Sequence, residues 1–222
     1  MGFCVAIDGP AGAGKSTIAK KLAKELGFIY VDTGAMYRAI ALYLIRNDIK
    51  PDDVSKVEEA LKDINVTIEY ADDVQQVILN GENVSGYIRT EEVGFVTSTA
   101  SKLPAVREKL LSLQRKMATT DNVIMDGRDI GTCVMPDAPV KIYLTASVET
   151  RAKRRWLEFQ EKGMECSLKE IEEDIAARDY QDMNREIAPL KQADDAVLVD
   201  SSNMTIDEVV DTMKGLVENK WK

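Results

Sequence analysis

The 222-residue sequence contains no histidine. This absence excludes Ser-His-Asp and Cys-His nucleophilic sites and also histidine-ligated zinc. Its three cysteines, Cys4, Cys133 and Cys166, are far apart and form no CxxC pair, so neither a disulfide framework nor a four-cysteine metal site fits. Free cysteines are typical of a reducing compartment, and we therefore expect a cytoplasmic protein.

Long apolar runs and an excess of positive charge are also missing. No run approaches the ~18 residues of a membrane helix, and the first residues lack the basic and long apolar regions of a signal peptide. The formal net charge is −9, which disfavours sequence-independent binding to duplex DNA. We expect a monomer with no membrane and no nucleic-acid partner, in which any phosphate is bound by a local basic pocket.

The order of apolar runs predicts an α/β fold with a parallel sheet. Residues 3–7 and 28–31 are short apolar runs, and residues 16–26 between them have apolar side chains at helical spacing. A strand, a helix and a strand within about thirty residues indicate a βαβ unit. Further strands at residues 123–125, 140–144 and 196–199 complete a five-stranded parallel sheet with helices on both faces, in a single domain over residues 1–222.

Most of the remaining sequence is predicted to be helical. Three helices begin with Ser or Thr followed three residues later by Glu, a capping-box pattern, at Ser55, Ser167 and Thr205. The last two long helices meet at a hinge around Gly163, and residues 151–167 are expected to form a helical lid. The helices are predicted at residues 33–45, 55–64, 90–102, 104–117, 147–161 and 167–183 and from residue 205 onward.

One segment interrupts the α/β alternation and predicts a small antiparallel insert. Residues 66–70 and 74–79 read as two strands around a turn at residues 71–73. Asn80-Gly81 then gives a hairpin signal before a third strand. We therefore predict an inserted antiparallel β subdomain at residues 62–88.

A phosphate-binding pattern lies between the first strand and the first helix. Residues 9–16 read GPAGAGKS and match the Walker A pattern GxxxxGK[ST], which predicts a P-loop NTPase fold. Glycines let backbone N–H groups converge on phosphate oxygens at the positive end of the following helix. The lysine adds a charge for the β- and γ-phosphates, and the serine hydroxyl can ligate Mg²⁺. The predicted ATP-binding residues are Gly9, Pro10, Ala11, Gly12, Ala13, Gly14, Lys15, Ser16 and Thr17, with Ser16 as the Mg²⁺ ligand.

The sequence does not fit several classes of P-loop protein. A guanine-reading GTPase usually carries NKxD and DxxG segments, and neither occurs here. A large ATPase motor needs accessory elements for which the chain is short. A small phosphotransferase remains, and a non-catalytic nucleotide-binding regulator stays open as an alternative.

Two groups of charged side chains are candidates for binding phosphate. Arg151, Arg154 and Arg155 share a helix face beside the Gly163 hinge, as expected of a flap that brings cations to a triphosphate. A solvated basic face paired with neighbouring glutamates is the alternative. Arg178, Asp182 and Arg185 also have one-face spacing, which fits either a site or a surface ion-pair ladder.

The segment Asp126-Gly127-Arg128-Asp129 follows a predicted strand. Ligands of open parallel sheets bind beyond the carboxyl ends of the strands, which favours a functional role for Arg128 and Asp129. The alternative is a simple turn in which Asp129 caps the next segment.

Taken together, these segments resemble the bacterial cytidylate kinase family, the short nucleoside monophosphate kinases that act on CMP and dCMP. The resemblance runs nearly end to end, and its most specific blocks are DGRDIGT and RDYQDMNR. The matching segments are residues 9–16, 32–38, 88–93, 104–107, 126–132, 136–141, 178–185 and 188–190.

The resemblance implies transfer of the ATP γ-phosphoryl group to CMP or dCMP with Mg²⁺, in pyrimidine nucleotide metabolism. It implies that Arg38, Arg128 and Arg178 hold the acceptor phosphate, with Thr33 in a family position often occupied by Ser. It implies that Ser98, Arg107, Asp129 and Arg185 read cytosine and that Asp182 reaches the sugar. Lys15, Arg128, Arg151 and Arg155 are the expected catalytic residues, and Arg154 is expected to contact ATP. A small kinase for uridylate, shikimate or dephospho-coenzyme A remains the nearest alternative.

Overall fold

The computed structural model describes residues 2–71, 74–161 and 163–221. No helix within these ranges is long and apolar enough to cross a membrane. In chain order the elements are β1 (Cys4–Asp8), α1 (Lys15–Leu26), β2 (Ile29–Asp32), α2 (Thr33–Arg46), α3 (Val54–Ala60), β3 (Val66–Ala71), β4 (Val74–Leu79), β5 (Glu82–Asn83), α4 (Glu91–Ala100), α5 (Pro104–Thr120), β6 (Val123–Gly127), a π-helical turn (Ile130–Val134), β7 (Val140–Thr145), α6 (Val148–Glu161), α7 (Leu168–Met183), β8 (Val197–Asp200) and α8 (Ile206–Glu218).

The chain divides into two compact units. The first comprises the residues up to Tyr30 and those from Asp121 onward, and we call it the P-loop unit. The second is Val31–Thr120, which we call the meander unit because it contains the small antiparallel sheet.

The P-loop unit is built on the predicted five-stranded parallel sheet, which has the strand order β2-β6-β1-β7-β8. β1 is central, and its Ile7 pairs with Asp126 of β6 on one side and with Ile142 of β7 on the other. Apolar side chains of β1, α1 and α8 form the core, which explains the helical spacing of Ile18 and Leu22. Because parallel strands end at one edge, the segments after β1, β6 and β7 are placed to build a ligand site.

The meander unit contains the predicted antiparallel insert, a three-stranded sheet in the order β3-β4-β5. Asn80 and Gly81 both have positive φ, 49° and 87°, as their hairpin turn requires. The predicted turn residues Asp72 and Asp73 lie outside the described residues. Buried side chains of α2, α4, α5 and the sheet form one apolar core in this unit.

Helix caps confirm one of the three capping-box predictions and correct two. The box at Thr205 forms with both of its hydrogen bonds. The box at Ser55 is wrong, because α3 begins one residue earlier and is capped by Asp53, whose carboxylate accepts the N–H of Lys56. Ser167 precedes α7 in an extended conformation, but its side chain makes no capping hydrogen bond, so this box is wrong as well.

Candidate functional site: the phosphate-binding loop and its charged surroundings

The loop between β1 and α1 has a backbone that glycine accommodates. Gly12 and Gly14 have φ values of 75° and 85°, in the left-handed region, and Gly14 directly precedes α1. At Gly9 a Cβ atom would lie 1.9 Å from the carbonyl oxygen of Leu144, so no larger residue fits there. The glycines of the motif therefore allow the sharp turn that brings loop N–H groups and a helix N-terminus to one place.

Lys15 is folded back onto this loop. Its Nζ atom donates hydrogen bonds to the carbonyl oxygens of Gly9 and Pro10, each at 2.7 Å, and the residue is buried. Burial lowers the pKa of Lys15 to about 7, and the nearby Arg128 acts in the same direction. A buried ammonium group is costly, so an anionic ligand at the loop would stabilise its charged form.

Ser16 lies beside a carboxylate that the sequence did not single out. Its Oγ donates to Oδ2 of the buried Asp126 at 3.1 Å, and Tyr30 donates to Oδ1 of the same carboxylate at 2.8 Å. Asp126 is the penultimate residue of β6, the neighbour of β1, and this adjacency cannot be read from local sequence patterns. An acid at the end of a strand was the available signal.

The oxygen atoms of Ser16 and Asp126 suit Mg²⁺, which is usually held by few protein oxygens together with water and substrate phosphates. Within the described ranges there is no cluster of three or more acidic or cysteine side chains that would cage a metal. Two such oxygens fit a magnesium ion that is held mainly by water and phosphate oxygens.

The segment after β6 is held by two ion pairs. Arg128 Nε donates to Oδ2 of Asp182 at 2.9 Å, and both side chains are partly buried. Asp129 Oδ1 lies 3.5 Å from Nη2 of Arg185, and both side chains are more than nine-tenths buried. Asp129 makes no side-chain cap to the π-helical turn that follows, so the alternative of a simple capping role is wrong.

The prediction that Arg178, Asp182 and Arg185 share one helix face needs correction. α7 ends at Met183, and Asn184 closes it by donating to the carbonyl of Tyr180. Arg185 therefore lies beyond the helix. The partner of Asp182 is Arg128, from a different segment, while Arg178 is half-buried and has no ion pair or hydrogen bond among the residues that the structure describes.

The three arginines of α6 have different surroundings. Arg151 is buried and binds both oxygens of Asp179 in α7, while its Nη1 atom also donates to the carbonyl of Ala11 in the P-loop at 3.0 Å. Arg154 donates to the carbonyl of Ser201 at 2.7 Å. Arg155 lies over the ring of Phe159 and 3.8 Å from a carboxylate oxygen of Asp174 in α7.

The remaining predicted residues belong to the meander unit. Thr33 is the buried first residue of α2, and Asp32 caps that helix by accepting the N–H of Ala35. Arg38 on α2 and Ser98 on α4 are half-buried, and these two helices pack together. Arg107 of α5 lies with its guanidinium 5.8 Å from the centre of the Tyr37 ring.

Asp32 is a second carboxylate that the sequence motifs did not predict as a site residue. Its Oδ2 accepts a hydrogen bond from Nη2 of Arg89 at 2.9 Å. Its backbone N–H donates to the side-chain amide of Gln75 on β4 at 2.7 Å. These contacts fix the start of α2, where Thr33 lies.

A central strand that runs into a glycine-rich loop with a buried lysine, beside an acid on the neighbouring strand, defines a P-loop enzyme of nucleotide chemistry. A crystal structure of an uncharacterized protein from Eubacterium ventriosum has the same fold. It aligns with a TM-score of 0.51 over 97% of this chain and 98% of its own, at 13% sequence identity.

The sequence comparisons are more specific than the fold. The cytidylate kinase family model matches residues 5–219. Cytidylate kinase from Lactobacillus johnsonii is 52% identical over 218 residues, which cover 98% of this chain and 95% of the relative. Cytidylate kinase from Caldicellulosiruptor saccharolyticus is 52% identical over 206 residues, 93% of this chain and 91% of the relative. The chain belongs to the cytidylate kinase family.

Proposed function

We propose that this protein transfers the γ-phosphoryl group of ATP to CMP and dCMP, giving ADP and CDP or dCDP. The observation that carries the proposal is the match to cytidylate kinases over nearly the full chain, and the glycine-rich loop that precedes α1 supports it. Membership in the family supports ATP as the phosphoryl donor.

The P-loop unit would bind the donor. Backbone N–H groups of the loop and the N-terminus of α1 would bind the polyphosphate, with the hydroxyl of Thr17 beside them. Lys15 would exchange its two carbonyl partners for phosphate oxygens. Ser16, with Asp126 behind it, would hold Mg²⁺, and the ion would neutralise charge on the β- and γ-phosphate oxygens.

Arginines would bind the acceptor phosphate, because a guanidinium group grips phosphate with two parallel hydrogen bonds. The proposed set is Arg38, Arg128 and Arg178, with the hydroxyl of Thr33. Within this set Arg178 already has an unpaired guanidinium among the described residues. Arg128 is oriented by Asp182, which would also reach the sugar hydroxyl.

The base would be read by Ser98, Arg107, Asp129 and Arg185. Cytosine presents an amino donor where uracil presents an acceptor oxygen, and a carboxylate such as Asp129 accepts from that amino group. Facing uracil, the buried carboxylate would meet a second acceptor, which is strongly unfavourable. Asp129 is therefore the proposed determinant of the choice of cytosine over uracil.

The reaction needs little beyond positioning and charge neutralisation. An anionic phosphate oxygen of CMP forms a bond to the γ-phosphorus while the bond from that phosphorus to the β–γ bridging oxygen breaks, and ADP leaves. The nucleophile carries no proton that must be removed, so a chain without histidine can perform the step. Lys15, Arg128 and the arginines of α6 would offset the charge on the transferred group.

The three arginines of α6 would have different roles toward ATP. Arg151 is fixed by Asp179 and holds the carbonyl of Ala11, so in this conformation it would orient the P-loop. Arg155 is more exposed and pairs more loosely with Asp174, which fits a side chain that can move to the triphosphate. Arg154 would contact ATP. The lid at residues 151–167 would close over the donor to exclude water.

We further propose that the enzyme acts as a cytoplasmic monomer without a nucleic-acid partner. Its net charge of −9 disfavours binding to nucleic acid, and its three cysteines, which form no disulfide, favour a reducing compartment. Light scattering during gel filtration would test the monomer, and a mass of twice 24.7 kDa would contradict it.

The function is tested by a coupled ADP-release assay with ATP, Mg²⁺ and a panel of acceptors: CMP, dCMP, UMP, AMP and GMP. We expect rapid turnover with CMP and dCMP and a background rate without an acceptor. Preference for a purine nucleotide, or for shikimate or dephospho-coenzyme A in the same assay, would assign the chain to another acceptor. ATP binding without transfer to any acceptor would favour a regulatory protein.

A further inference from the structure

Asp8, the last residue of β1, is a buried carboxylate that the proposed reaction does not use. Its Oδ1 accepts the backbone N–H of Ile130 at 2.8 Å, and its Oδ2 accepts the N–H of Gly131 at 2.7 Å. The residue is 5% exposed. Both donors open the π-helical turn that directly follows Asp129, so one side chain of β1 holds the start of this turn.

The peptide group between Asp129 and Ile130 is thereby fixed at both ends. Its N–H donates to Asp8, and its carbonyl oxygen accepts the N–H groups of Cys133 at 2.9 Å and Val134 at 3.2 Å. A fixed peptide constrains the backbone at Asp129, from which its side chain extends. That side chain is the one that lies 3.5 Å from Arg185.

Asp8 and the turn pack closely around Gly131. A Cβ atom built on Gly131 would lie 3.4 Å from Oδ2 of Asp8 and 3.2 Å from the side chain of Lys141. Only a carboxylate offers an acceptor oxygen to each of two N–H groups at this distance, because a side-chain amide has one oxygen and one donor nitrogen. Burial raises the pKa of Asp8 to about 6, and the two backbone hydrogen bonds oppose this increase.

We propose that Asp8 is a positioning residue for recognition of the pyrimidine base, acting through the backbone of the turn to aim the carboxylate of Asp129. The inference rests on the proposed function, because it assumes that Asp129 reads the base. A purely structural carboxylate would change stability and leave the relative rates with CMP and UMP unchanged.

The first test is Asp8→Asn, which keeps the shape and replaces one acceptor oxygen by a donor. We expect the ratio of kcat/KM for CMP to that for UMP to fall about tenfold, the equivalent of one charge-assisted hydrogen bond. The KM for ATP should change by less than about threefold, since the loop glycines and Lys15 keep their own contacts. Asp200→Asn is the matched control, because Asp200 also ends a strand and accepts a loop N–H, that of Ser202 at 2.9 Å.

A double-mutant cycle separates a positioning role from a general one. If Asp8 acts through Asp129, then Asp8→Asn in an Asp129→Asn background should change the CMP/UMP ratio by less than about twofold. Additive effects on that ratio would overturn the proposal, and so would an unchanged ratio in Asp8→Asn alone. Asp8→Ser serves as the second variant, and failure of both single variants to fold would assign Asp8 a structural role. A wild-type protein that phosphorylates no pyrimidine nucleotide would instead contradict the proposed function itself.

Discussion

The two units differ in where they place their charged side chains. The meander unit buries a single charged residue among those described, Asp32, and rests on one continuous apolar core. The P-loop unit buries six: Asp8, Lys15, Asp126, Asp129, Lys141 and Arg151. Its interior is thus organised by hydrogen bonds and ion pairs at the carboxyl edge of the sheet as well as by apolar packing.

This contrast predicts two kinds of response to substitution. A buried charge that loses its partner costs several kcal/mol, so changes in the P-loop unit should affect neighbouring side chains as well as the ligand. The proposed site residues of the meander unit, such as Arg38 and Ser98, are half-buried on helices whose inner faces are apolar. Changes there should weaken nucleotide binding and leave the core intact.

The largest expected effect is the loss of Lys15. Lys15→Ala should lower kcat by at least about 10²-fold, because the charge on the transferred phosphoryl group loses its buried cation. The KM for CMP should change by no more than about threefold, since the acceptor is held by other side chains. The coupled ADP-release assay measures both. Lys24→Ala, on the exposed side of the same helix, should leave both constants unchanged. Full turnover in the Lys15 variant would contradict the mechanism.

The next effect concerns the choice of base. Asp129→Ala should reduce the preference for CMP over UMP by about 10- to 100-fold, because the proposed acceptor for the cytosine amino group is removed. Separate kcat/KM values for the two nucleotides give the ratio. Asp194→Ala, a fully exposed carboxylate in the same unit, should not alter it. An unchanged ratio in Asp129→Ala would move base recognition to other residues.

A smaller effect distinguishes two arginines of the P-loop unit that share a proposed ligand. Both Arg128→Ala and Arg178→Ala should raise the KM for CMP by about tenfold. Only Arg128→Ala should also lower the melting temperature, because it leaves Asp182 without its partner, whereas Arg178 has no ion pair among the described residues. Thermal unfolding without nucleotide measures the difference. If both variants lowered the melting temperature equally, the ion pair between Arg128 and Asp182 would not stabilise this unit as proposed.

The fold was predictable because its determinants are local. The apolar spacing of α1 and the Asn80-Gly81 turn each act within a few residues, and the structure confirms them. The failed capping boxes are local as well, but they depend on the residue at which the helix begins. With Asp53 as the cap, Ser55 is already inside α3 and cannot occupy the capping position.

Sequence motifs suffice to propose residues for the candidate site, but they do not predict which of these side chains pair with one another. Motifs identified Arg128, Asp129 and Arg151, but their partners lie far along the chain, such as Asp182 for Arg128 and Asp179 for Arg151. Both partners lie on α7, and the packing of α7 against α6 brings Asp179 to Arg151. Asp8 and Asp126 were missed for the same reason, since each looks in the sequence like an ordinary residue at the end of a strand.

The smallest expected effect concerns the charge on a buried side chain of the P-loop unit, Lys15. With a pKa of about 7, the buried Lys15 is mostly neutral in the free protein at pH 8 and mostly charged at pH 6. A bound triphosphate favours the charged form and raises that pKa. Binding of a non-hydrolysable ATP analogue should therefore take up a fraction of a proton at pH 8 and much less at pH 6. Calorimetry in buffers of different ionisation enthalpy measures this uptake.

Lys15→Arg is the control, because its guanidinium is charged at both pH values and cannot take up a proton. Proton exchange by the analogue's own phosphates contributes to both proteins and is removed by the difference between them. We expect the difference to be greatest at pH 8 and to shrink toward pH 6. An equal uptake by wild type and variant at pH 8 would mean that Lys15 keeps its proton in the free protein despite its burial. The ion pairs of the P-loop unit would then stabilise that charge before any nucleotide arrives.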